Sequence, residues 1–235
     1  MSRVDQARSF VLHRRAYRET SLIVELFSRE HGCIAAVARG ARSARSPMRG
    51  LSEPFVELQA SWSRRGEMAT LIALEPAQAG SPPRYGGQAL WCGLYLNELV
   101  LKLLARDDPE PALFDAYADV LFRLNDQARQ AQHLRSFEWL LLQTIGVAPD
   151  LSVCCDTGEA IEADGLYRVD PHDGPVRIDR PNEAAVSGKT LLGLCRGVEL
   201  SKAEARSARH LLRRLIETQL DGRTLQTPRM FRSQR

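Results

Sequence analysis

Two alternating runs decide the fold of this chain: Ser21-Leu22-Ile23-Val24-Glu25-Leu26-Phe27-Ser28 and Cys33-Ile34-Ala35-Ala36-Val37-Ala38-Arg39. An apolar side chain at every second position is typical of a strand with one buried face. Glu30-His31-Gly32 stands between the runs and is a turn signal. The two runs therefore predict neighbouring antiparallel strands.

The same period recurs over the first 80 residues. Three further strands are predicted, at Ser9 to Arg15, Pro54 to Trp62 and Met68 to Leu74. Five short antiparallel strands in this length predict a small closed barrel. An OB-type barrel fits best, because it leaves no exposed edge while its loops and one curved face stay open to oligonucleotides. An SH3-like barrel would give nearly the same pattern.

The pattern changes after Ser81-Pro82-Pro83, which is typical of a linker. Apolar residues then recur at helical spacing, and helices are predicted over Ala89 to Ala105, Ala112 to Leu124 and His133 to Ile145. We therefore expect an α+β protein with two domains: an N-terminal five-stranded OB-type barrel at 1–80 and an all-helical C-terminal domain at 81–235.

A second break interrupts the helical part. Residues 150–182 are rich in Asp, Gly and Pro and contain short alternations such as Gly165-Leu166-Tyr167-Arg168-Val169, so a small irregular β insertion is expected there. Ser187 is a predicted N-cap for a helix through Arg196. Ser201 with Glu204 three residues later is a predicted capping box for a last helix to Leu220.

Composition predicts a globular protein of the cytoplasm. The 235 residues suffice for one large or two smaller domains. The sequence contains no apolar run long enough to span a membrane and no signal-peptide core, so neither a membrane span nor export is expected. The 5 cysteines are odd in number and scattered, which favours reduced thiols over a disulfide framework.

The net charge of +3 hides a segregation along the chain. Residues 1–82 hold 12 Lys and Arg against 8 Asp and Glu, residues 83–195 hold 10 against 17, and residues 196–235 hold 10 against 4. Both ends are therefore basic and the middle is acidic, a pattern typical of polyanion binders. Only 3 of the 32 cationic residues are lysines, an arginine preference that genome composition also explains.

Four arginines and no acid occur in the run Arg39-Gly40-Ala41-Arg42-Ser43-Ala44-Arg45-Ser46-Pro47-Met48-Arg49-Gly50. Guanidinium groups on a flexible, Gly- and Ser-bearing backbone suit phosphate oxygens through their planar donors. A solvated surface loop explains the charge run equally well. On the phosphate interpretation, the predicted DNA-binding residues are Arg14, Arg15, Arg39, Arg42, Arg45 and Arg49. Tyr17 and Trp62 are the candidates for base stacking, and core packing explains Trp62 better.

No catalytic constellation is found in the sequence. Gly188-Lys189-Thr190 lacks the glycine that a P-loop needs five positions earlier, where Glu183 stands. A zinc site at Cys154 and Cys155 would need two more ligands, and His172 with the distant Cys195 matches no standard spacing. We therefore expect no enzymatic activity, no metal and no cofactor.

Two arginine-bearing helices are candidate sites for an acidic peptide. Arg135 projects from the first turn of the helix at His133 to Ile145, where it offers charge beside an apolar stripe. An ion pair with Glu138 explains Arg135 slightly better. The last helix carries Arg206, Arg209, Arg213 and Arg214 on one face, which suits acidic peptides and nucleic acid equally.

Seven short blocks stand in a characteristic order: Phe10-Val11-Leu12-His13, Glu19-Thr20-Ser21-Leu22, Val37-Ala38-Arg39-Gly40-Ala41-Arg42, Pro54-Phe55, Gly93-Leu94-Tyr95-Leu96-Asn97-Glu98-Leu99, Leu134-Arg135-Ser136-Phe137-Glu138 and Leu225-Gln226-Thr227-Pro228-Arg229-Met230-Phe231. Their order and spacing resemble the bacterial RecO family of DNA repair proteins over nearly the whole chain. The resemblance implies an amino-terminal OB-fold, a helical carboxy-terminal domain and a non-enzymatic recombination-mediator role in the nucleoid.

The resemblance also implies partners. RecO proteins bind single- and double-stranded DNA, anneal complementary strands, and work with RecR to load RecA onto DNA coated by single-stranded DNA-binding protein (SSB). Their helical domain docks the acidic, Phe-ended SSB tail. Arg135 lies in the matching block and is the first candidate for that contact, with Arg209 and Arg213 next. Some members carry a four-cysteine zinc module, whereas Cys154-Cys155-Asp156-Thr157-Gly158-Glu159 resembles the metal-free form.

Overall fold

Five strands form the first third of the chain. The structure, a computed structural model, describes residues 2–66, 68–77, 84–227 and 230. The strands are β1 (Ser2–Tyr17), β2 (Ser21–Ser28), β3 (Gly32–Ala38), β4 (Glu57–Arg64) and β5 (Ala69–Pro76). Their order is β1-β2-β3-β5-β4, and β1 pairs with both β2 and β4, so the sheet closes on itself.

One pairing gives the barrel its type. β3 and β5 run parallel, while the other neighbours are antiparallel. This crossover produces the five-stranded Greek-key arrangement of an OB-fold. The predicted OB-type barrel is therefore confirmed over its SH3-like alternative. The predicted linker at Ser81-Pro82-Pro83 lies outside the described residues.

The inward face of the barrel is apolar and buried. Its core includes Val11, Val24, Leu26, Ile34, Ala36, Leu58, Ala60, Trp62, Ala69 and Leu71. Trp62 is only 3% exposed, so its indole belongs to the core, as the sequence analysis favours. Tyr17 is half-buried and remains the only one of the two stacking candidates that solvent reaches.

β1 is the strand whose length the sequence underestimates most. It spans 16 residues, where the alternation predicts only Ser9 to Arg15. Irregularities in the pairing occur between Val4 and Ala7 and between Val11 and His13, and Gln6 has a φ of 52°. Each bulge shifts which side chains face inward, so the period-two signal is lost although the strand continues. The bulges let β1 bend from β4 to β2.

Helices and a small sheet follow in the described part of the chain. The helices are α1 (Gly87–Leu103), α2 (Pro111–Arg123), α3 (Gln130–Thr144), α4 (Gly188–Arg196) and α5 (Lys202–Thr218). Within the insertion, β6 (Leu166–Asp170), β7 (Gly174–Arg177) and β8 (Ala185–Ser187) form a sheet in the order β7-β6-β8. No helix among the described residues is long and apolar enough to cross a membrane.

Both predicted helix starts in the second half are confirmed. The Ser187 hydroxyl accepts a hydrogen bond from the backbone of Thr190 at 3.3 Å and caps α4. At α5, Ser201 and Glu204 form the reciprocal capping box, in which the Ser201 backbone donates to the Glu204 carboxylate at 2.7 Å. These local contacts satisfy amide groups that a helix start leaves unpaired.

The described residues divide into two compact units. The chain up to Leu124, together with the described residues from Leu225 onward, forms one unit, and Asn125–Thr224 forms the other. The predicted domain boundary at residue 80 marks the change from strands to helices, whereas compactness groups α1 and α2 with the barrel. The role of 1–80 as a separate DNA-binding domain stays a prediction.

A buried polar chain explains why α1 and α2 belong with the barrel. The Asn97 amide nitrogen in α1 donates to the backbone oxygen of Leu12 in β1 at 2.8 Å. The hydroxyl of Tyr117 in α2 donates to the Asn97 carbonyl oxygen at 2.5 Å. Around this chain, the rings of Phe10, Phe27, Phe114 and Tyr117 have centroids 5.1–5.8 Å apart. Aromatic packing and a satisfied polar network together fix the two helices on the barrel.

Candidate nucleic-acid interface

The β1–β2 turn and the arginine-rich segment after β3 meet at one end of the barrel. Tyr17 pairs with Ser21 at the end of the first hairpin, and Leu22 pairs with Ala38 at the end of β3. Arg39 therefore leaves the barrel beside the turn formed by residues 18–20. We call the turn 18–20 and the segment 39–50 together the arginine end.

Arg42 fastens the two parts of the arginine end to each other. Its backbone nitrogen donates to the Thr20 carbonyl oxygen at 2.9 Å. Its guanidinium donates to the carbonyl oxygens of Glu19 at 3.1 Å and Arg18 at 3.3 Å. Arg42 was predicted as a phosphate contact, and the structure shows that its guanidinium also holds the neighbouring turn.

The segment 39–50 is folded, in contrast to the flexible loop that its Gly and Ser content predicts. Successive turns are closed by backbone bonds from Ser43 to Gly40, from Ser46 to Ser43 and from Arg49 to Ser46, at 3.0–3.1 Å. Ala41 and Met48 are buried in the barrel core and anchor the segment at two points. The apolar residues thus fix the backbone while the arginines between them stay outside.

The other predicted DNA-binding arginines differ in how far they are engaged. Arg14 is ion-paired with Glu53 at 2.5 Å, and its guanidinium also donates to Ser52 at 3.3 Å. Four other predicted arginines are exposed and make no side-chain hydrogen bond or ion pair within the described part of the chain. They are Arg15, Arg39, Arg45 and Arg49. Four guanidinium groups therefore stand available to solvent phosphates on a fixed backbone.

Tyr17, a candidate for base stacking, forms a pair with Arg18, which no sequence pattern singles out. The guanidinium carbon of Arg18 lies 5.1 Å from the centroid of the Tyr17 ring. Arg18 has a φ of 54°, in the left-handed region that an arginine rarely adopts. Nothing in the sequence marks a non-glycine residue for this conformation, so the stacked pair could not be found from the pattern.

In the second unit, Arg135 is buried. Its guanidinium pairs with the Glu138 carboxylate at 2.5 Å, and the two side chains are 6% and 2% exposed. The ion pair within the helix, which the sequence analysis weighed against a peptide contact, is the one that forms. An external carboxylate would have to share or displace Glu138 to reach Arg135, and that role for Arg135 stays a prediction.

The cationic face of α5 is narrower than the sequence predicts. Arg206, Arg209 and Arg213 are exposed, and Arg213 pairs with Glu217 at 2.8 Å. Arg214 leaves this face, because its guanidinium donates to the backbone oxygen of Val169 in β6 at 3.1 Å. Its inclusion in the cationic face was wrong, since a helix turns about 100° at each residue and position 214 points to the small sheet.

Comparison with known proteins decides the family. The family model described as the N-terminal part of recombination protein O matches residues 1–79, and the model of its C-terminal part matches residues 84–228. The chain belongs to the RecO family. The resemblance drawn from short sequence blocks is thereby confirmed, and RecO proteins act in DNA repair and recombination.

Full-length relatives agree with the two models. DNA repair protein RecO of Azoarcus sp. (strain BH72) is 43% identical over 235 residues, which cover 97% of this chain and 96% of the relative. The RecO of Methylococcus capsulatus (strain Bath) is 43% identical over 233 residues, covering 99% and 95%. That of Alkalilimnicola ehrlichii is 44% identical over 229 residues, covering 95% and 89%.

Cys154 and Cys155, the candidate zinc ligands of the sequence, lie in the insertion before the small sheet. Cys154 is buried and Cys155 is exposed. Their backbone nitrogens donate to the carbonyl oxygens of Glu159 and Pro175, both at 2.8 Å. Among the described residues, His, Cys, Asp and Glu side chains form no group of three or more that fits a metal ion. Backbone hydrogen bonds hold this part of the insertion.

The contact between Glu98 and the end of the described chain has no local signal in the sequence. Two of the resembling blocks meet in space, because the Glu98 carboxylate in α1 accepts hydrogen bonds from the backbones of Gln226 and Thr227 at 2.7 and 2.9 Å. Lys102 pairs with the same carboxylate at 2.8 Å. Partial burial by itself would raise the pKa of Glu98. The hydrogen bonds together have the larger effect in the opposite direction, so the pKa lies below its usual value.

Proposed function

We propose that this chain binds single- and double-stranded DNA through the arginine end of its barrel and anneals complementary strands. The observation that carries the proposal is a set of exposed arginines that have no ion pair within the described residues. Arg39, Arg45 and Arg49 belong to the segment anchored by Ala41 and Met48, and Arg15 lies on the neighbouring strand β1. Phosphate contacts of this kind give affinity without sequence preference, as annealing of arbitrary strands requires.

The proposed mechanism involves no bond chemistry, and we propose that the protein is not an enzyme. Arginines hold each backbone by charge, so a strand can shift along the surface while its bases search for partners. Binding is reversible because the contacts are exposed and exchange with counterions. The ion pair between Arg14 and Glu53 and the turn contacts of Arg42 keep the surface in shape, and both guanidinium groups remain partly exposed for additional phosphate contacts.

The second unit is proposed to dock the acidic tail of SSB. The exposed side chains of Arg209 and Arg213 on α5 supply charge for tail carboxylates, and the tie between Arg213 and Glu217 is a surface ion pair that an incoming acid can replace at little cost. Arg135 is a further candidate if its guanidinium releases Glu138 or binds a second carboxylate beside it. In this role the protein acts with RecR at the nucleoid and helps load RecA onto SSB-coated single strands.

The proposal is tested by annealing of SSB-coated complementary strands. The expected result is rapid annealing with intact SSB, and slow annealing when the SSB tail is removed, while naked strands anneal at the same rate in both cases. If the protein leaves even naked strands unannealed and binds no DNA, it is instead an adaptor for acidic peptides. Annealing of coated strands that ignores the tail would contradict the docking role of the second unit.

A further inference from the structure

The turn at residues 18–20 carries an exposed guanidinium that lies over an aromatic ring. Arg18 is exposed, and its guanidinium carbon lies 5.1 Å from the centroid of the half-buried Tyr17 ring. An exposed arginine normally samples many rotamers, whereas a contact with an aromatic face restricts it to a few. Because Arg18 is exposed, its guanidinium remains accessible to a ligand.

The backbone beneath this pair is held in a costly conformation. Arg18 has a φ of 54°, which favours glycine, and a residue in this region persists only where its surroundings fix it. Arg42 supplies that support, since its guanidinium bonds to the carbonyl oxygens of Arg18 and Glu19 and its backbone to that of Thr20. Strain that is held in place by a neighbouring loop is a common property of binding sites.

We propose that Arg18, ordered by Tyr17, is a stacking platform for an unpaired nucleobase. This inference rests on the proposed DNA-binding function and gives the arginine end a means to favour single strands over duplex. Guanidinium planes stack on nucleobases as aromatic rings do, and bases of every identity offer such a face. In a duplex, neighbouring base pairs cover those faces, so the platform binds only unpaired bases.

The local charge favours stacking over a simple phosphate contact. Glu19 is exposed directly beside Arg18, and Thr20 is neutral, so the turn has no net charge. A carboxylate at this place repels phosphates, whereas it leaves stacking on the guanidinium plane intact. Arg15 on β1 and Arg39 just after β3 lie near the turn and remain to hold phosphates next to the stacked base.

Charge-preserving and ring-preserving variants test the platform. Binding of fluorescein-labelled oligo(dT) and of a duplex of equal length is followed by anisotropy for wild type, Arg18→Lys, Tyr17→Phe and Tyr17→Leu. We expect Arg18→Lys to lose about tenfold in single-strand affinity, with an unchanged salt slope and unchanged duplex affinity. Tyr17→Phe keeps wild-type binding, and Tyr17→Leu matches Arg18→Lys. Thermal unfolding verifies that each variant is folded. If Tyr17→Leu does not fold, Arg18→Lys alone decides whether the platform exists.

Two outcomes would overturn the platform while leaving the proposed function standing. One is full single-strand affinity in Arg18→Lys, because charge alone would then explain the contact. The other is an equal loss for single strands and duplex. A wild-type protein that binds neither DNA would instead refute the proposed function itself. Photo-crosslinking with iodouracil-containing single strands gives an independent readout, in which we expect crosslinks within residues 17–18 that Arg18→Lys reduces.

Discussion

The guanidinium of Arg42 donates a hydrogen bond to the backbone oxygen of Glu19 at 3.1 Å, across the gap between two loops of the barrel. This contact makes the arginine end one structure rather than two independent loops. Arg42, which charge and the family resemblance both predicted as a phosphate contact, thus also has a structural task. Substitution of Arg42 therefore cannot be interpreted as the loss of one phosphate contact.

Loss of the Arg42 side chain should loosen the turn at residues 18–20. In Arg42→Ala the carbonyl oxygens of Arg18 and Glu19 lose their donor, so the turn opens more often and the bond from the Arg42 backbone to Thr20 is exposed. We expect faster hydrogen exchange at the amide of residue 42. Arg45→Ala is the matched control, and exchange as slow as in wild type in both variants would refute the fastening role.

Asn97 should be among the most sensitive polar positions of the first unit. Asn97→Ala leaves the Tyr117 hydroxyl and the Leu12 carbonyl without their partner in a buried place, which costs about 2–3 kcal/mol of unfolding free energy. Tyr117→Phe removes one of the two bonds and should cost about 1 kcal/mol. Urea unfolding measures both, and Gln88→Ala on the exposed side of α1 serves as the control. A loss below about 0.5 kcal/mol for Asn97→Ala would contradict the network.

Acid should release the contact of Glu98 with residues 226 and 227. The hydrogen bonds lower the pKa of Glu98 in the folded protein, so its stabilising contribution is present above the unfolded-state pKa of 4.5 and disappears as the pH falls through the lower folded-state pKa. Glu98→Gln should therefore be less stable than wild type at neutral pH, and the difference should shrink below pH 4.5. Thermal unfolding across this range measures it. A constant difference would show that ionisation of Glu98 has no part in the contact.

The buried pair in α3 predicts a stability effect that must be separated from peptide binding. Arg135→Ala removes the ion-pair partner of Glu138 in a buried place and should cost about 3 kcal/mol. Arg135→Met combined with Glu138→Leu removes both charges and should recover much of that loss. Chemical unfolding compares the three proteins. If the double variant is no more stable than Arg135→Ala, the buried charge of Glu138 is not the cause of the loss.

The face of α5 is the cleaner test of SSB-tail docking. Arg209→Ala and Arg213→Ala are exposed substitutions, so stability should change by less than about 0.5 kcal/mol while binding of an SSB-tail peptide weakens. Titration calorimetry with the peptide measures this, and Arg123→Ala, an exposed arginine paired with Asp119 in the first unit, is the control. Unchanged peptide affinity in both α5 variants would show that the docking site for the SSB tail is not on this face.

Local signals in the sequence predicted most of the fold. The alternation at Ser21 to Ser28 matches β2 to the residue, and both predicted caps, at Ser187 and Ser201, are present. The predicted β1 was too short because bulges at two places break the alternation of its side chains. The attachment of α1 to the barrel was missed because the bond from Asn97 to Leu12 joins residues far apart in the chain, and no local pattern records such a contact.

The sequence predicted the arginines of the candidate site but not the contacts that hold them. Charge located the arginine run, but it gave no sign that Ala41 and Met48 would anchor it or that Arg42 would bond to a neighbouring turn. Burial, which depends on the whole fold, decided the state of Arg135. The left-handed backbone of Arg18 is a consequence of tertiary contacts, so no propensity predicts it.

The salt dependence of single-strand binding tests the central claim most directly. Wild type and the double variant Arg39→Ala/Arg45→Ala are titrated with oligo(dT) over a range of salt concentrations, with Arg123→Ala as the charge control. We predict that the log–log slope of the double variant is shallower by about 0.7 for each lost phosphate contact, and that the slope of Arg123→Ala equals that of wild type. An unchanged slope in the double variant would contradict the assignment of DNA binding to the arginine end.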